Sequence, residues 1–100
     1  MDSKLRRKLF SESMKINSIY IAGRAGITDI FIDEISKALK ARELIKISIG
    51  KQCLISVKEA AQEISARTFS EVVRTIGRKI ILYKKNEDEE DNIEKQKSKI

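Results

Sequence analysis

Ser18-Ile19-Tyr20-Ile21-Ala22-Gly23-Arg24-Ala25-Gly26-Ile27-Thr28 is the stretch around which the chain is organised. It divides into an apolar, largely β-branched run (18–22), a G-x-x-G tetrad (23–26) and the start of an amphipathic run at Thr28. The order is strand, loop, helix. Glycines allow a sharp turn and leave backbone N–H groups uncovered. A helix that follows aims its N-terminal N–H groups and the positive end of its dipole back at the loop. Arg24 adds a full charge. Gly23, Arg24, Ala25 and Gly26 are therefore candidates to hold a phosphate, and the plainer alternative is a tight strand-to-helix turn.

Downstream, Thr28 is the predicted N-cap of a helix whose buried stripe is Ile27, Phe31, Ile35 and Leu39, with Ile32 and Ala38 beside it. Asp29, Asp33 and Glu34 face away. Leu44–Ile49 alternates, with Ile45, Ile47 and Ile49 on one face and Leu44, Lys46 and Ser48 on the other, which predicts a strand ended by Gly50. Ser56-Val57-Lys58-Glu59 reads as a capping box that opens a helix to about Arg67, with Val57, Ala61 and Ile64 inward. A third strand is predicted from Thr68 and Phe69 through Thr75. Gly77 marks a turn into a fourth, Lys79 to Lys84, and the two form an antiparallel hairpin.

Upstream, Ser3 is the predicted cap of a helix over residues 4–15. Leu5, Leu9, Phe10 and Met14 give it an apolar side, while Lys4, Arg6, Arg7, Lys8 and Lys15 crowd the remainder. The strand before the loop is apolar at both alternations, which predicts a strand central in the sheet or covered on both sides. The fold class is α/β: a single small α-β-α-β-α-β-β domain over residues 1–84, with a four-stranded sheet packed on helices.

Charge and composition narrow the function. The net charge is +6, and 17 basic against 9 acidic residues fall in 1–84, a net of +8 there. Such a surface favours polyanions. Residues 85–100 include the acidic block Glu87-Asp88-Glu89-Glu90-Asp91 and read as a charged, disordered tail. The single Cys53 rules out an internal disulfide and reads as a small buried hydrophobe. With no His in the chain, the commonest general base and metal ligand is missing. The acids Asp29, Asp33, Glu34, Glu59 and Glu63 read as helix caps and solvated faces. No catalytic residue, metal site or cofactor is therefore expected. No run of the sequence reaches membrane-span length and no signal-peptide core follows the charged N-terminus, so the expected location is cytoplasmic. The five aromatics, Phe10, Phe31, Phe69, Tyr20 and Tyr83, read mostly as core.

Three stretches carry a family resemblance. They are Ile19 to Thr28, the run Ala38-Leu39-Lys40-Ala41-Arg42-Glu43-Leu44-Ile45-Lys46-Ile47, and Val73-Arg74-Thr75-Ile76-Gly77-Arg78-Lys79-Ile80-Ile81-Leu82-Tyr83. Over about residues 3–84 the chain resembles YhbY-type proteins, the stand-alone form of the CRM domain (chloroplast RNA splicing and ribosome maturation). It departs from them in Ser13–Asn17, which lacks the His and Pro often present there. The resemblance implies a fold similar to the C-terminal domain of translation initiation factor three. It also implies an RNA-binding protein of large ribosomal subunit assembly, with Gly23, Arg24, Ala25 and Gly26 as the RNA-contact loop. KH-type modules use a GXXG loop in the same way, to clamp a strand's backbone.

The expected partners are thus ribosomal RNA of the large-subunit precursor and the pre-ribosomal particle, bound by a monomer with no membrane association. Lys4, Arg7, Lys8 and Lys15 would add long-range attraction, and Arg78 and Lys79 would contribute from the last hairpin. The competing expectation is a protein-interaction module that docks on basic ribosomal proteins through the acidic tail or a sheet edge.

Overall fold

The computed structural model describes residues 1–85. The tail predicted for 85–100 lies, from residue 86 onward, outside the described residues. Seven elements follow the predicted order: α1 (Ser3–Ser13), β1 (Tyr20–Ala22), α2 (Asp29–Arg42), β2 (Leu44–Ile49), α3 (Val57–Thr68), β3 (Glu71–Ile76) and β4 (Lys79–Tyr83). The sheet order is β1-β2-β4-β3. β1 lies parallel to β2, with α2 as the crossover, and the other two pairings are antiparallel.

Local chemistry sets the element ends. Thr28 Oγ1 accepts the Phe31 N–H at 3.0 Å, and Ser56 Oγ accepts the Glu59 N–H at 3.1 Å. Each cap satisfies one of the N–H groups a helix start leaves open. α1 is capped one residue earlier than the sequence suggests. Asp2, not Ser3, accepts the Leu5 N–H, at 2.8 Å. A carboxylate at that position also complements the helix dipole.

The sheet has two differently covered faces. On one, Ile45, Ile47 and Ile49 of β2 join Ile80 and Leu82 of β4 against α2 and α3, where Ile35 and Ile64 are fully buried. On the other, Leu9 of α1 packs on Val73 and Ile81, flanked by Phe10, Leu44 and Tyr83. The alternation read in Leu44–Ile49 is therefore the division between these two faces.

Three expectations are corrected. β1 is an edge strand, not a central one, and Ile21 is 70% exposed. Its double-sided apolar pattern reflects a covered face (Tyr20, Ala22) and an open one. The third strand begins at Glu71, because α3 continues through Thr68. Phe69 is then the helix C-cap, at φ 56°, ψ 40°, and 82% exposed rather than core. Its N–H and that of Ser70 both donate to the Ser65 carbonyl, which closes the helix end.

Candidate nucleic-acid interface

Three loops meet at the end of the sheet where β1 and β2 finish. The first is Gly23–Gly26, a turn closed by the Gly26 N–H donating to the Gly23 carbonyl at 2.9 Å. Arg24 and Ala25 hold its two central positions and are exposed. The second begins at Gly50, whose N–H donates to the Ala22 carbonyl at 2.7 Å. A Cβ at Gly50 would lie 3.0 Å from that carbonyl oxygen, so a side chain there would have to displace the backbone of β1. The third is the β3–β4 turn. Arg78 Nε donates to the Ile49 carbonyl at 2.8 Å and its Nη2 to the Gly50 carbonyl at 2.7 Å. The Ile49 N–H donates back to the Arg78 carbonyl at 2.7 Å. Arg78 thus acts as a strut that fixes one loop to another and leaves a guanidinium charge at the shared end.

The two glycines of the tetrad differ. Gly26 sits at φ +75°, where a side chain is strained whatever the space. Gly23 has no such φ, and a Cβ there would meet nothing within 4 Å. The turn requires Gly26. Neither backbone conformation nor packing requires Gly23.

Asp29 opens α2 beside this loop, and its charge would oppose a bound anion. Arg67 of α3 answers it. One Nη donates to the Asp29 carboxylate while the other reaches Glu63 at 3.4 Å. The hydrogen bond to Asp29 holds the Arg67 pKa above its ordinary value. No sequence signal joins residues 38 positions apart, so this pair was not foreseen.

The remaining predicted cations divide. Lys79 is exposed at the start of β4, at the three-loop end. Arg7 lines a groove between α1 and β3 with Ser3, Arg6, Phe10, Val73 and Arg74. Lys4 and Lys8, four apart, share a different, exposed flank of α1, and exposed Lys15 lies in the turn beyond it. Arg6, which the sequence places among the cations of α1 without singling it out, and Arg74, which it does not mark as a site residue, also belong to the groove. The Arg74 guanidinium lies 4.5 Å from the centroid of the Phe10 ring. A register shift between Val72 and Arg74 produces this, because the bulge turns Val73 and Arg74 to the same side. Strict alternation hides such a residue.

Among the described residues, no group of three or more His, Cys, Asp or Glu is placed to hold a metal ion, and no helix is long and apolar enough to cross a membrane. Cys53 is buried.

This arrangement, a mixed four-stranded sheet with a G-x-x-G loop at its parallel edge, defines a small α/β domain of known type. Residues 1–84 match the CRS1/YhbY (CRM) domain model, and the chain belongs to that family. It is 34% identical over 88 residues to "Probable RNA-binding protein YqeI" of Bacillus subtilis (strain 168), covering 88% of this chain and 92% of the relative. It is also similar to the solution structure of the hypothetical protein SAV1595 from Staphylococcus aureus, "a putative RNA binding protein". The TM-score is 0.74 at 34% identity, covering 85% of this chain and 88% of the other.

Proposed function

We propose that this chain is an RNA-binding protein that acts on ribosomal RNA of the large-subunit precursor during assembly. In this reading, loop 23–26 and Arg24 hold the RNA backbone. Arg78 and Lys79 add charge at the same end, and Arg7 extends the cationic surface along α1. Lys4, Lys8 and Lys15 act through longer-range attraction. The observation that carries the reading is Gly23: a glycine that neither the turn nor the packing demands leaves the loop backbone open to close approach by a phosphate. The names of the relatives and the surplus of cations support an RNA ligand. The large-subunit assignment and action within the pre-ribosomal particle are drawn from the family, and we propose that the chain acts there as a cytoplasmic monomer.

The test is binding of the purified chain to large- and small-subunit ribosomal RNA fragments across a salt series. Gly23→Asp has room for its side chain and keeps the fold, so a loss of about tenfold reports on the loop itself. Arg24→Ala lowers affinity and flattens the salt dependence by about 0.7 in log–log slope, the share of one phosphate contact on a single strand. Unchanged binding in both variants would reduce the tetrad to a turn. Equal affinity for both sets of fragments would contradict the large-subunit assignment.

A further inference from the structure

The sheet face under α1 is covered at one end only. α1 packs over Leu44, Val73, Ile81 and Tyr83. Nearer the three loops, the strand register carries one row across all four strands: Ile21 beside Ser48, Ser48 beside Lys79, Lys79 beside Ile76. No element covers this row among the described residues. Ile21 is 70% exposed, Ile76 is 42% exposed, Lys79 is exposed and Ser48 is half-buried. The row adjoins the tetrad, since the position of a Cβ on Gly50 lies 3.6 Å from Ile21 Cγ2 and 3.8 Å from Gly23 Cα. With strands about 4.8 Å apart, the row spans about 14 Å.

Its surroundings are cationic. Lys46 and Arg74 stand in the next row, each beside Ile81. On β3 the acidic Glu71 is engaged by the Met1 amino group at 3.4 Å. An apolar row within a cationic frame matches a ligand with apolar faces and a charged backbone.

We infer that this row is a platform for the bases of single-stranded RNA, laid against Ile21 and Ile76 while the neighbouring loop holds the backbone. The inference rests on the RNA-binding reading above and adds the form of RNA. An A-form duplex presents phosphates and 2′-hydroxyls and keeps its base faces stacked inside, so it offers exposed aliphatic side chains no partner. An unstacked strand offers base faces, and a four-stranded sheet has room for about two or three of them. With no aromatic ring in the row, contact comes from apolar burial, which tolerates any base. A protein partner fits less well. Ser48 and Lys79 separate the two isoleucines, whereas the core of a protein interface is depleted of lysine.

The experiment compares a fluorescent oligouridylate with its duplex with oligoadenylate, each titrated with the full chain. The single strand binds about tenfold tighter than the duplex. The double variant Ile21→Thr/Ile76→Thr keeps β-branching at two exposed sites and should retain its unfolding midpoint. It loses about tenfold on oligouridylate with an unchanged salt slope, because no charge is removed. Arg24→Ala serves as the contrast, with a flatter slope. Equal or tighter duplex binding would overturn the inference. So would parental affinity in the double variant, which would leave the face to a protein partner. If Arg24→Ala loses affinity while the isoleucine pair does not, the platform fails and the RNA-binding reading stands. If neither RNA binds, the platform fails, and the titration with ribosomal RNA fragments decides the RNA-binding reading separately.

Discussion

The two faces of the sheet both carry isoleucines and put them to opposite uses. Ile47 and Ile21 lie on adjacent strands one register position apart, yet Ile47 is 0% exposed and Ile21 is 70% exposed. One points into the α2/α3 layer and the other into the gap that α1 leaves. The difference teaches that cover decides the role of an aliphatic side chain. The α2/α3 face holds the larger buried core, and the open part of the α1 face, with the loops at its end, is the surface proposed to bind.

Substitutions can break or sharpen that contrast. The largest effect belongs to Ile47→Ala, which should cost about 2–5 kcal/mol in urea unfolding, while Ile21→Ala stays within about 0.5 kcal/mol. Similar costs at both positions would erase the distinction between the faces. Leu9→Ala removes the buried anchor of α1 and should cost about 2–3 kcal/mol, toward the lower end because a single helix can settle onto the smaller side chain. Phe69→Gly works in the other direction. It relieves a left-handed conformation that costs a non-glycine residue about 1 kcal/mol or more, so the unfolding midpoint should rise. The gain is reduced by loss of the contact with Lys84, whose Nζ lies 5.9 Å from the ring centroid.

The smallest effect on stability is that of Arg67→Ala, an exposed pair whose loss should barely move the midpoint. Its effect should appear in binding instead. With Asp29 unanswered, RNA affinity falls at low salt, and Asp29→Asn in the same background restores it. Because the Arg67 pKa is raised in the folded chain, the arginine's contribution to folding is present below its ordinary value and is lost as pH rises above it. The effect should therefore be flat across the neutral pH range.

Much of the fold is local and was legible in the sequence. Helical spacing gave α2, alternation gave β2, and the Thr28 and Ser56 caps are written within four residues of their partners. What escaped depends on residues far apart. Nothing in the Ile19–Ala22 run says that β1 pairs on one side only. Phe69 looks like the start of a strand, and only the extra residue of α3 makes it a cap. Arg74 reaches α1 through a bulge that alternation cannot show. For the candidate site, the tetrad and the basic helix were visible. The union of the Gly23, Gly50 and Arg78 loops, and the answer of Arg67 to Asp29, exist only once the sheet is assembled.

The most direct test of the account is to follow backbone amide resonances of the full chain as oligouridylate is added. The account predicts that shifts concentrate at residues 21–26, 48–50 and 76–79, with α2 and α3 beyond their first turns quiet. Shifts confined to Lys4, Lys8 and Lys15 on the outer flank of α1, or spread over α2 and α3, would contradict it.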